Sequence, residues 1–194
     1  MVVDAAFMSI GLNYFVSVVP AVAAYEARMQ RGEVPQKLKD LSTISYDLVA
    51  GIWKNRRSWG VARSVAGQLA TASQEDDRSA LRKWAAQAPV VGWQSEPLGK
   101  VSGVGITTYQ YLRMMGGVDT SMPDKIVRRV IAELLRDAQV DLPVSGDLEL
   151  IDTIDLIARN TGYRAIDLCW MTWMVQSEGK LVRMAKYREL LQRI

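Results

Sequence analysis

Apolar residues recur every three or four positions along almost the whole chain, and no stretch alternates apolar and polar residues as a half-buried strand does. In "SWGVARSVAGQLATA" the recurrence is Val61, Val65 and Leu69. In "EVPQKLKDLSTISYDLVAGIW" Pro35 stands near a helix start, and Leu38, Leu41, Leu48, Val49 and Ile52 are the apolar positions. "SQEDDRSALRKWAAQA" offers Ser73 as an N-cap, acids in its first turn and basic residues later, and it stops before Pro89. Further helices are expected over 105–116, 124–138, 146–160 and 164–177, with a basic helix to the C-terminus. Residues 89–102 are the most loop-like. The pattern predicts an all-α protein of about ten helices with short connections. Its 194 residues fit one domain, or two lobes sharing a core.

The missing residue types narrow the chemistry. There is no histidine, which excludes imidazole acid–base catalysis, Ser-His triads and His-ligated metals. The single cysteine, Cys169, excludes an intrachain disulfide, a cysteine-rich zinc site and a four-cysteine cluster; within "IDLCWMTWM" it reads as a small core residue. Any catalysis must use carboxylates, lysines, hydroxyls or a borrowed cofactor. A net charge of +3 permits an anionic partner without demanding one, so binding must be argued from where the cations cluster.

Residues 5–24, "AAFMSIGLNYFVSVVPAVAA", are uncharged and resemble in composition a signal peptide or a membrane span. No basic residue precedes them, Asn13 and Pro20 interrupt them, and "YEARMQRG" continues as a charged helical pattern. A buried helix accounts for these features better, and the chain reads as a cytoplasmic protein with no membrane partner.

The segment most suggestive of function is "KVSGVGITTYQYLRMMGGVDTSMPDKIVRRV", residues 100–130. Gly103 and Gly105 can take positive φ and present bare backbone, with Val104 packing inward between two helices. Successive N–H groups at the start of the second helix, joined by the hydroxyls of Thr107 and Thr108, suit a DNA phosphate. The same residues also make an ordinary turn between helices. Further on, Ile126, Val127, Val130, Ile131, Leu134 and Leu135 form one apolar face, and Lys125, Arg128 and Arg129 lie on another side. Cations in a first helical turn oppose the helix dipole, a penalty that a bound phosphate would remove. Asp124 precedes this helix, placed to be its N-cap, a catalytic carboxylate, or both.

The segment 98–130 resembles the helix-hairpin-helix plus Gly/Pro–Asp (HhH-GPD) motif of the endonuclease-III-like, base-excision DNA glycosylases. That family carries Leu-Pro-Gly-Val-Gly-x-Lys-Thr-Ala, a loop ending in Val-Asp, and then a helix. "VSGVGITTY" is similar to the hairpin, with Ser102 where proline is usual, and Asp124 lies 19 residues beyond Gly105, close to the family's separation. Asp119, in "GGVDT", resembles the local motif but comes too early. Upstream, "GIWKNRRSWGVARSVAGQL" weakly resembles the family's Gly-aromatic turn and following helix.

The resemblance implies a single two-lobed helical domain over residues 1–194. One lobe, 30–121, would end in the hairpin; the other, 122–194, would include part of the N-terminal helix. It implies a monomeric protein acting on double-stranded DNA without a cofactor, by hydrolysis of the N-glycosidic bond to a damaged or mismatched base. Asp124 would be the catalytic anion, kept ionised by helix N–H groups. Thr107 stands where strand-cleaving members have lysine, and a hydroxyl forms no Schiff base, so no lyase step is expected. The family's cysteine-ligated cluster and glutamine-containing recognition segment have no counterpart. A non-catalytic DNA-binding protein on the same scaffold is the alternative. An extruded base needs a pocket, for which Trp53 and Trp59, interleaved with Lys54, Arg56 and Arg57, are candidates; tryptophans in helical chains also serve as packing.

Overall fold

The computed structural model describes residues 1–72 and 76–176. The helices are α1 (Val2–Met8), α2 (Val19–Gln30), α3 (Leu38–Leu41), α4 (Tyr46–Val49), α5 (Arg56–Ala72), α6 (Asp77–Gln87), α7 (Ile106–Met115), α8 (Lys125–Asp137), α9 (Asp147–Thr161) and α10 (Ala165–Gln176). A π-helical turn, Tyr14–Val18, leads into α2, and a 3₁₀ turn, Trp93–Ser95, follows α6. Among the described residues there is no strand. The protein is all-α, as its periodicity predicts.

The helices pack in two sets joined by one buried cluster. In the first, α1 lies against α5 and α7, α3 against α5, α5 against α6, and α6 against α7. In the second, α8 and α9 each lie against α10. Aromatic rings close the seam between them: Tyr14 meets Trp170 and Trp173, Phe15 meets Trp173, and Tyr111 meets Trp170, with centroids 5.6–6.2 Å apart. Val61, Val65, Leu69, Val104 and Cys169 are all buried, as expected. Burial pushes the Cys169 thiol up to about 12, so it is an unreactive core side chain.

The uncharged N-terminal run is not one helix. Gly11 takes φ +69°, the Asn13 amide oxygen accepts a hydrogen bond from the Val16 N–H at 3.1 Å, and Pro20 sits in the first turn of α2. Gly11 and Asn13 break helical continuity, by left-handed backbone and by a competing side-chain acceptor, whereas at Pro20, which lacks an N–H, the helix runs on from the π-turn. α1 therefore packs with the first set of helices, while the π-turn meets α10 through Tyr14 and Phe15. The longest described helix has 17 residues, and none is long and apolar enough to cross a membrane.

Three expectations need correction. The N-cap of α6 is Asp76, whose Oδ1 accepts from the N–H groups of Arg78 and Ser79; Ser73, the expected cap, lies outside the described residues, as does the basic C-terminal segment. Leu48 and Leu134 carry helical spacing yet are 48% and 58% exposed. Leu134 falls inside the apolar arc of α8, between Val130 and Val127, and Leu48 belongs to a single helical turn; spacing alone does not decide what covers either side chain.

A candidate nucleic-acid interface beside a carboxylate cavity

Glu96 organises the approach to the hairpin. Its carboxylate accepts from Trp84 Nε1 at 3.0 Å and from the N–H groups of Leu98 and Gly99 at 2.9 and 3.3 Å. The chain then turns through Val101–Val104, closed by the Val104 N–H donating to the Val101 carbonyl at 2.9 Å.

The two hairpin glycines differ. Gly103 has φ +96°, and a Cβ there would stand 2.7 Å from Val61 Cγ2 and 3.4 Å from Arg57 Nε. This position requires glycine, and it draws the start of α5 against the hairpin. Gly105, expected to share the positive φ, instead has extended backbone (φ −99°, ψ 175°) as the N-cap of α7. Nothing lies within 4 Å of where its Cβ would be, and no side chain caps the helix. The start of α7 is thus an uncapped, open helix N-terminus, with the positive end of the helix dipole unscreened.

Asn55 accepts from the Ser58 N–H at 3.0 Å, which begins α5 and places Arg56 and Arg57 in its first turn. Lys54, Arg56 and Arg57 are exposed, and the Arg56 guanidinium lies 4.1 Å from the Tyr46 ring centroid. Lys125 and Arg129 are also exposed and make no salt bridge among the described residues. Arg128 is different. It donates to the carbonyls of Val144, Ser145 and Gly146 and pairs with Asp147 at 2.5 Å, so it ties α8 to the start of α9. Its guanidinium is already engaged within the chain.

Two further expectations change. Thr108 is buried, so of the two hydroxyls expected at the anion site only Thr107 is partly exposed, 3.5 Å from the Pro123 carbonyl. Trp59 is 1% exposed, packs edge-on against Phe7 and donates Nε1 to the Trp53 carbonyl at 2.8 Å; it is a core side chain, not the wall of an open pocket. Trp53 stacks flat on Phe7 at 4.7 Å, so one of its faces is taken.

The loop carrying Asp124 is anchored at several points. Buried Gln110 of α7 donates to the Thr120 hydroxyl at 3.0 Å and the Ser121 carbonyl at 3.2 Å, and Arg113 holds the Gln110 amide oxygen at 2.7 Å. Asp119, the early aspartate, accepts from the Ile166 N–H at the start of α10. Asp124 then caps α8: its Oδ1 accepts from the N–H groups of Ile126 and Val127, both at 2.8 Å. No hydrogen bond within the described residues engages Oδ2.

Asp124 lines a cavity of about 480 Å³, within the size range of ligand pockets. Gly105, Thr107 and Thr108 line one side, Met8 to Phe15 another, and Trp173 closes it. The expected effect of the helix N–H groups on Asp124 is outweighed: burial, the larger influence, raises its carboxyl above the ordinary range against the two backbone hydrogen bonds and Lys125. The structure thus brings together Asp124, Gly105, Thr107, Thr108 and Lys125. Trp173, one of the late-helix tryptophans considered for a base pocket, does line the cavity; sequence reasoning missed the contributions of Ser9, Asn13 and Phe15, for which the break at Gly11 and Asn13 was the signal. Compared with family models, curated proteins and solved structures, the chain matches none.

Proposed function

We infer that this chain is a DNA N-glycosylase-like protein that hydrolyses the bond between deoxyribose and a damaged or mismatched base, without strand cleavage. The observation that carries this reading is the free Oδ2 of Asp124 in a ligand-sized cavity beside the open start of α7. Duplex phosphates would lie against Gly103, Val104 and Gly105, with Lys54, Arg56, Arg57, Lys125 and Arg129 supplying charge. Such contacts hold a duplex without reading its sequence. The target base would leave the stack and enter the cavity. As the glycosidic bond breaks, the base takes the bonding electrons and C1′ becomes cationic. The Asp124 carboxylate stabilises that charge and orients the attacking water, whose oxygen bonds to C1′ while the proton it loses neutralises the departed base. Thr107, at the place of the family's lysine, offers no amine for a covalent intermediate.

The test is a panel of duplexes, each with one lesion or mismatch, incubated with protein and then cleaved with alkali. Wild type should release a base from at least one substrate without nicking abasic DNA, and borohydride should trap no adduct. Release from none of them, together with salt-sensitive duplex binding, overturns the enzyme and leaves a DNA-binding protein on this scaffold.

A further inference from the structure

Tyr14 contributes to the wall of the Asp124 cavity, and its hydroxyl is bonded to a buried carboxylate that the reaction above does not use. Asp4, in α1, is wholly buried. Its Oδ2 lies 3.1 Å from the Tyr14 hydroxyl and 3.0 Å from the Tyr111 hydroxyl, and the two hydroxyls are 3.1 Å apart. Three oxygens therefore form a triangle with every side at hydrogen-bond distance. Each tyrosine hydroxyl brings one proton, so the tyrosines fill two sides at most. An ionised carboxylate donates nothing, and the third side would set lone pair against lone pair. A protonated carboxyl fills it, each oxygen donating to the next around the ring. Asp4 Oδ1 has no hydrogen-bond partner among the described residues, which costs far more for a carboxylate than for the carbonyl oxygen of a neutral acid.

We propose that Asp4 is a neutral carboxylic acid in the folded protein, closes a three-proton ring with Tyr14 and Tyr111, and through that ring is a positioning residue for the cavity. The positioning role rests on the glycosylase reading; the protonation state does not. Burial holds Asp4 and both tyrosines above their ordinary values. The Met1 amino group opposes this at Asp4, is itself lowered by burial, and is influenced in turn by Glu26 of α2. The buried face of α5 (Trp59, Val61, Ala62, Val65, Ala66 and Leu69) holds no titratable group.

The test compares folding constants of wild type and Asp4→Asn by urea unfolding from about pH 4 to about pH 8. Folded Asp4 keeps a proton that the unfolded chain loses near ~3.9, so rising pH destabilises wild type, whereas asparagine does not titrate. The wild-type to variant ratio should fall by up to about tenfold per pH unit above that value, levelling once the folded carboxyl ionises. Asp124 and Asp155, also raised by burial, are common to both proteins and cancel in the ratio. A ratio that is flat or rises with pH means folded Asp4 is ionised, and overturns the ring. Should Asp4→Asn not fold, infrared spectra of wild type near neutral pH should contain a protonated-carboxyl stretch that moves in Tyr111→Phe; no moving band overturns the ring. For the positioning role, Asp4→Leu should slow base release roughly tenfold through kcat, and Asp4→Asn should restore most of it. Base release unchanged in folded Asp4→Leu overturns that role. If wild type releases no base, the glycosylase reading fails and the stability ratio alone decides the ring.

Discussion

Two consecutive helix starts, one loop apart, solve the same problem in opposite ways. Every helix begins with N–H groups that lack partners in the helix. α8 satisfies two of them internally with the Asp124 carboxylate. α7 begins on Gly105, receives no side-chain cap and opens onto the same cavity. A capped start holds an anion of its own, while an uncapped one is fit to take an anion from outside. Their adjacency sets a fixed carboxylate beside an uncapped helix start, the arrangement that the proposed grip on a DNA backbone beside a cationic sugar would use.

The largest expected effect separates cap from catalyst at α8. Asparagine is an equally good cap, so Asp124→Asn should hold stability within about 1 kcal/mol of wild type while base release falls at least ~100-fold. Asp124→Ala should lose both, with a further ~0.5–2 kcal/mol of stability. Thermal unfolding alongside single-turnover base release reads the two together. Wild-type release in Asp124→Asn would leave this carboxylate as a cap only.

A second prediction makes α7 resemble α8. Gly105→Asp would supply a cap where the added Cβ meets nothing. Stability should hold or rise by a few tenths of a kcal/mol, and duplex affinity should fall roughly tenfold or more from repulsion of phosphate. Gly105→Ser, an uncharged cap, should weaken binding less. If filter binding at fixed salt finds Gly105→Asp as tight as wild type, α7 is not the phosphate site.

Neighbouring arginines of α8 give a smaller contrast. Arg129→Ala should reduce the slope of log affinity against log salt by about one, because an exposed cation at the interface releases counterions. Arg128→Ala should leave that slope alone and cost ~1–2 kcal/mol of stability, having lost its hydrogen bonds to the Val144–Gly146 carbonyls and Asp147. Equal salt slopes for the two variants would remove the distinction.

The last expectation is a shift in a pH profile. Asp124 must be ionised to stabilise the sugar, and burial raises its value. Base release should therefore decline on acidification at a pH above the ordinary carboxylate range of about 3.9, and Asp124→Asn should flatten that limb. An acid limb at or below the ordinary value would show that the cavity is well hydrated when DNA is bound.

The later helices were the most legible in sequence. α7, α8 and α9 fall within about two residues of their expected bounds, and α10 begins within one residue of its expected start, because a glycine or aspartate opens α7, α8 and the α9 region. Asp124 was visible for the same reason, as an aspartate between a proline and an amphipathic run. The N-terminal run was opaque because uniform apolar composition conceals a π-turn; only Gly11 and Asn13 marked its break. Arg128, Thr108 and Trp59 were misassigned for a different reason. Spacing assigns a side chain to a face of its helix, but the partner that covers the face comes from elsewhere, here the Val144–Asp147 segment for Arg128 and Phe7 of α1 for Trp59.

The π-turn also sets the register of the N-terminal segment. In it the Val19 N–H reaches back five residues to the Tyr14 carbonyl, one more than in an α-helix. That extra residue allows adjacent Tyr14 and Phe15 both to face inward, at 1% and 5% exposure, while α2 still buries Val19 and Val22. Were the same residues wound as an ordinary α-helix, everything on one side of the turn would rotate by about 100° relative to the other. The winding of this turn, as much as side-chain identity, is what keeps the aromatic seam in phase with the helix that follows.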